Sequence, residues 1–109
     1  MAYDDELARR VLEVLADRGD VSERRMFGGW CAMVAGNMAC GVIGDELMVR
    51  VGPESYEDAL DLPHARVMDI TGRPMTGFVL VERAGISGTA EVRDWVARGV
   101  AFAATLPPK

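Results

Sequence analysis

Arg50, Asp69 and Arg73 are the charged residues inside or beside the expected strands of this 109-residue sequence that could converge. Two guanidinium forks around a carboxylate could grip an anionic ligand bidentately, as in a small-ligand-binding protein or a minor enzyme. Structural ion pairs give the same pattern, and we favour that reading, in which Asp69 pins Arg50 or Arg73. Cys31 and Cys40 could form a disulfide or begin a metal site, but a metal needs further ligands. The single histidine, His64, sits apart in a proline-flanked loop. Two reduced, buried thiols are the simpler expectation. A lone histidine supports no Ser-His-Asp or Cys-His arrangement. No glycine-rich stretch ends in Gly-Lys-Ser/Thr, so a phosphate-binding loop has no support. Phe27-Gly28-Gly29-Trp30 reads as a bend or bulge between strands rather than an anion nest. We therefore expect no enzyme, no cofactor and no metal.

These residues must be positioned by surrounding elements, and the turn chemistry proposes which. Asp4 or Asp5 caps a helix over 4–18, with Leu7, Val11 and Leu15 on its apolar stripe and Gly19 as a left-handed stop. Gly36-Asn37 and Gly44-Asp45 each suit a two-residue hairpin loop. Centring the turns there pairs Cys31 with Val42, Met33 with Cys40, Val42 with Leu47 and Cys40 with Val49. One sheet face then reads Cys31, Met33, Met38, Cys40, Val42, Leu47, Val49, Val51. The other face carries Trp30, Ala32, Val34, Ala39, Gly41, Ile43 and Met48, and is apolar where a solvated face is polar. Its small centre leaves room for another backbone. Trp30, Ala32, Ala39, Gly41 and Met48 are accordingly the candidate partner surface, with Met75 a second methionine suspected of touching a partner.

Further on, Gly52-Pro53-Glu54 starts a short helix that stops before Pro63. Strands follow over 67–70 and 77–82, joined by a wide loop. Phe78-Val79-Leu80-Val81 is apolar on both sides, as a central strand is. Thr89 caps a last helix burying Val92, Trp95, Val96, Val100 and Ala103. Gly99 inside it costs about 1 kcal/mol relative to Ala, which points to something packed close. The order α-β-β-β-α-β-β-α makes an α+β fold with an antiparallel sheet, one domain over 1–109.

Composition narrows the function classes. Half the residues are hydrophobic and 27% are charged, as in ordinary globular domains. The net charge is −5, and no basic stripe carries interleaved aromatics, so direct nucleic-acid binding is not expected. No apolar run reaches membrane-span length. The acidic start, MAYDDELARR, is unlike a secretory signal, so we expect a cytoplasmic protein that does not enter membranes.

Several segments together resemble a known family: MFGG at 26–29, WCAMVAGNMACGVIGDELMVRVG, MDITGRPMTGFVLV, and the terminal WV…LPPK. From about Arg25 to Lys109 the chain is similar to the N-terminal domain of the TfoX/Sxy family. The resemblance implies a small α+β unit of secretion-chaperone-like topology. Full-length members regulate natural competence alongside the cyclic-AMP receptor protein and carry a second, C-terminal helical domain. This sequence ends at LPPK, so a stand-alone N-terminal domain is expected. The resemblance supplies no catalytic residues. The combined expectation is a regulatory module that binds a protein partner or a second copy of itself.

Overall fold

The computed structural model describes residues 3–26, 28–69 and 72–109. In chain order the elements are α1 (Asp5–Val14), β1 (Val21–Met26), β2 (Gly29–Val34), β3 (Asn37–Ile43), β4 (Glu46–Arg50), α2 (Tyr56–Leu60), β5 (Ala65–Val67), β6 (Phe78–Val81), a 3-10 turn (Arg83–Ile86) and α3 (Thr89–Ala103). The strands form one antiparallel sheet in the order β1-β2-β3-β4-β6-β5. β6 therefore has a strand on either side, as its doubly apolar sequence requires. The α+β class holds, with one strand more than expected.

That extra strand is β1. Its sequence, VSERRM, has four exposed residues in the middle and no buried alternation to announce it. It is held by polar contacts to its neighbours instead. The Trp30 Nε1 donates to a Glu23 carboxylate oxygen at 2.8 Å. The Arg25 guanidinium lies over the Tyr3 ring, 5.6 Å from its centroid.

Helix boundaries moved for local reasons. The Asp4 carboxylate accepts from the Glu6 and Leu7 backbone N–H groups at 3.0 and 3.2 Å, so the expected cap is present. α1 stops at Val14 rather than at 18, and Gly19 is not in the left-handed region. Ser55, not Gly52, precedes α2. Gly52 instead takes φ +84° and donates its N–H to the Gly77 carbonyl at 3.1 Å. Gly88 rather than Thr89 caps α3. β5 begins at Ala65, two residues early, and the expected strand end at Ile70 falls outside the described residues.

The second hairpin matches its expected register, with Val42 opposite Leu47 and Cys40 opposite Val49. The first does not. Its turn is Ala35-Gly36, at φ +51° and +82°, the paired positive angles a tight two-residue loop demands. Asn37 belongs to β3, where its side-chain amide donates to the Pro107 carbonyl at 2.9 Å. Trp30 now faces Val42, and Ala32 faces Cys40. A bulge follows: Met33 pairs with Met38, leaving Ala39 as the extra residue in β3. The earlier turn alone would move the pairing by two residues and keep the faces; the bulge takes back one, which exchanges the faces of β2, so Cys31 and Met33 leave the face that holds Cys40, Val42, Leu47 and Val49.

The face left to those residues is the one the helices cover. Trp30, Ala32, Cys40, Val42, Leu47, Val49, Val79 and Val81 pack with Leu7 and Val11 of α1, Ala59 of α2, and Val92, Trp95 and Val96 of α3. α3 approaches most closely at Gly99, where a Cβ would collide with the carbonyl oxygen of the bulge residue Ala39. The chain end reinforces the same corner. The Lys109 N–H donates to the Ala35 carbonyl at 2.8 Å, beside the turn that opens β3.

The close approach at Gly99 fixes the sign of a substitution. Gly99→Ala gains about 1 kcal/mol of helix propensity. It also forces α3 off a backbone carbonyl, an overpacking that typically costs about 1–3 kcal/mol. Because backbone yields less than a side chain, we expect the upper part of that range and a net loss of up to about 2 kcal/mol in urea unfolding. A stabilised Gly99→Ala protein would mean α3 does not sit on the bulge.

Candidate functional site

The sheet face away from the helices is chemically unlike the one beneath them. Cys31, Met33, Met38, Met48, Met68 and Leu80 form its buried cluster, with Met26, Ile43, Met75 and Phe78 half-buried around it. No helix residue belongs to this cluster, whereas all three helices contribute to the other. Of seven methionines in the sequence, the six beyond Met1 are here. Four come from strands, and the segment between β5 and β6 brings Met68 and Met75 onto the face.

Gly41 is what lets the centre close. Cys31 and Met48 both pair with it from opposite sides. A Cβ at Gly41 would lie 2.9 Å from the Met48 methyl carbon and 3.2 Å from the Cys31 Sγ. Two sulfur side chains from strands two apart thus lean together over a position without a side chain. Methionine is unbranched and polarizable, so it fills such irregular space with little strain.

The five residues of the candidate partner surface do not share a face. Trp30, Ala32 and Ala39 point to the helix side, whereas Gly41 and Met48 belong to the methionine side. All five are buried. The slip of β2 and the bulge at Ala39 separate them. The Trp30 and Ala32 surface is covered by helices of the same chain, and Met48 has no exposed surface at all. Met75, by contrast, is half-exposed at the rim.

Arg50, Asp69 and Arg73 do not form the expected ion-pair cluster among the described residues. Arg50 stacks between two rings, 5.6 Å from the Phe78 centroid and 5.2 Å from that of Phe102. Asp69 approaches Arg66 at 3.9 Å, and Arg66 forms a closer, two-pronged pair with Glu46. That pair raises the Arg66 pKa above its ordinary value. Arg73 is exposed in the loop. Among the described residues no ion pair joins the three expected partners. Arg66 was the arginine that the sequence reading overlooked; its place opposite Leu80 follows from the β5–β6 register.

Cys31 and Cys40 lie on opposite faces, so the expected shared face is corrected and no bridge joins them. Burial pushes the Cys31 thiol up to about 11 and the Cys40 thiol up to about 12. Among the described residues no three His, Cys, Asp or Glu groups gather as metal ligands. His64 adopts φ +69°, and its carbonyl accepts from the Glu82 N–H at 2.9 Å, closing the turn into β5. Gly28, at φ +73°, makes the tight bend between β1 and β2, while Phe27 lies outside the described residues.

With the geometry in place, comparison with known proteins gives one match: the model of the TfoX N-terminal domain spans residues 13–103. The chain belongs to the TfoX N-terminal domain family. No curated protein and no solved structure matches it. The six-stranded antiparallel sheet with three helices is consistent with a TfoX N-terminal domain. Among the described residues no helix is long and apolar enough to cross a membrane.

The raised thiols give this TfoX N-terminal domain a defined pH response. An unfolded cysteine ionises near 8.5, whereas these folded thiols hold their protons to about 11 and 12. Between those values the unfolded state loses protons first, so stability falls as pH rises from about 8.5 towards 11. Denaturant midpoints at pH 7.5 and 10 should differ in that direction, and the difference should shrink in Cys31→Ala. A thiol reagent at pH 8 should label neither cysteine until the protein is unfolded. Rapid labelling of the folded protein would contradict the burial.

Proposed function

We propose that this TfoX N-terminal domain is a non-enzymatic protein-interaction module whose contact surface is the methionine-rich face. The observation that carries this is the gathering of six methionines on the one sheet side that receives no helix. A core needs no such composition: the helix side is packed mainly with valine, leucine, alanine and tryptophan. Flexible thioethers suit a surface that must adapt to another molecule. The rim formed by Met26, Ile43, Met75 and Phe78 offers apolar area over a fixed floor. A regulatory role in the cytoplasm, of the kind the likeness to competence regulators implies, goes with this reading.

Photo-methionine incorporated in living cells tests it. We expect Met26 and Met75 to crosslink to a second protein molecule, a different chain or another copy of this one. The buried Met48 and Met68 should crosslink only within the chain. If intermolecular products map instead to residues of α1 or α3, the contact surface has been assigned to the wrong side. Purely intramolecular products at every methionine would remove the interaction reading.

A further inference from the structure

The sulfur atoms of the methionine face are graded by exposure. Cys31, Met48 and Met68 are fully buried, and Met33 and Met38 keep only 6% and 7% of their surface. Met26 and Met75 are partly exposed at the rim. Beneath the helices, the only sulfur among the described residues is that of Cys40, and it is fully buried. An oxidant arriving from solvent therefore meets two thioethers before any other described sulfur.

This order inverts the usual one. A cysteine normally reacts first, because its thiolate is the nucleophile. Here both thiols are buried, and burial pushes their pKa values up to about 11 and 12. A thioether has no proton to lose, so its reaction with a peroxide is set by access rather than by ionisation. Both accessible thioethers also sit where a side chain can adjust. Met26 closes β1 beside the bend at Gly28. Met75 lies between β5 and β6, where its N–H donates to the Met68 carbonyl at 2.9 Å and its carbonyl accepts from the Phe78 N–H at 3.1 Å. Those bonds hold the backbone of Met75, while its partly exposed side chain can turn a polar product towards water. At Met48 or Met68 the same product would be buried among apolar side chains.

We propose that Met26 and Met75 are reversible oxidation sites, at which a peroxide changes the rim of this face from apolar to polar while the fold stays intact. The sulfur lone pair attacks one oxygen of hydrogen peroxide, the O–O bond breaks and an S–O bond forms. Sulfur loses two electrons, and the other peroxide oxygen leaves as water. A sulfoxide reductase reverses the step with two electrons and two protons from a dithiol. The oxygen departs as water and the dithiol becomes a disulfide. The proposal does not depend on the interaction reading above, and it stands if the rim meets only solvent.

Time-resolved mass spectrometry of the full chain in dilute hydrogen peroxide at pH 7 tests this. Met26 and Met75 should each take up oxygen at least about tenfold faster than Met48 and Met68, which react only through opening of the fold. Cys31 and Cys40 should still titrate as free thiols once the treated protein is unfolded. The protein oxidised at both rim sites should keep its far-UV circular dichroism and elute earlier from a native hydrophobic-interaction column. The two epimer-specific methionine sulfoxide reductases, with dithiothreitol, should restore the original mass and retention. In the volume-conserving double variant Met26→Leu, Met75→Leu, the fast uptake at these positions should vanish and the retention change should shrink. Oxidation of Met48, Met68 or Cys31 as fast as the rim sulfurs would overturn the proposal. Loss of circular dichroism on rim oxidation, an unchanged retention, or sulfoxides that the reductases cannot remove would each overturn it too.

Discussion

The contact between α3 and the carbonyl of Ala39 governs much of what the rest of the molecule does. β3 carries one residue more than its partner β2, and Ala39 is that residue. A bulge turns two neighbouring side chains to the same side, so Ala39 and Cys40 both face the helices while Met38 stays on the opposite side. α3 seats over this spot because Gly99 has no Cβ to obstruct it. The bulge and the helix therefore support each other. Without the extra residue the alternation of β3 would run on unbroken, and methionines and valines would mix on both faces.

The separation gives each face a different mechanical character. Beneath the helices, β-branched valines and Trp30 of the sheet meet helix stripes that include Trp95 in a well-defined packing. On the other side, long unbranched thioethers close over Gly41 and leave a half-buried rim. Among the described residues, the ion pairs of the methionine side gather at Arg66, which engages Glu46 and Asp69. A sheet with one rigid and one adaptable side can keep its fold while its contact surface accommodates another molecule.

Much of the fold was legible from turn chemistry and periodicity. Gly44-Asp45 set the second hairpin correctly because its loop fits only one register. The doubly apolar run 78–81 locates the central β6, and Gly99 inside a helix signals the close approach of α3 to Ala39. β1 was missed because VSERRM is polar nearly throughout, and an edge strand has little burial to write into its sequence. The first turn sits one residue earlier than expected because Ala35 takes a positive backbone angle that alanine rarely adopts. Nothing in the local sequence marks Ala39 as a bulge. That single omission moved Cys31 and Met33 to the wrong face and scattered the candidate surface. The Arg50, Asp69 and Arg73 grouping failed differently: sequence proximity to apolar runs says nothing of Phe102, which arrives from α3 to hold Arg50.

Everything proposed about function depends on the methionines sharing a side that no helix covers. Nuclear Overhauser contacts among labelled methionine methyls measure that arrangement directly. The methyl of Met48 should contact those of its methionine neighbours on the same face and the Cys31 side chain, and none of these methyls should contact Val92 or Val96 of α3. Strong contacts from Met33 or Met48 to those two valines would place the thioethers under the helices and contradict the account.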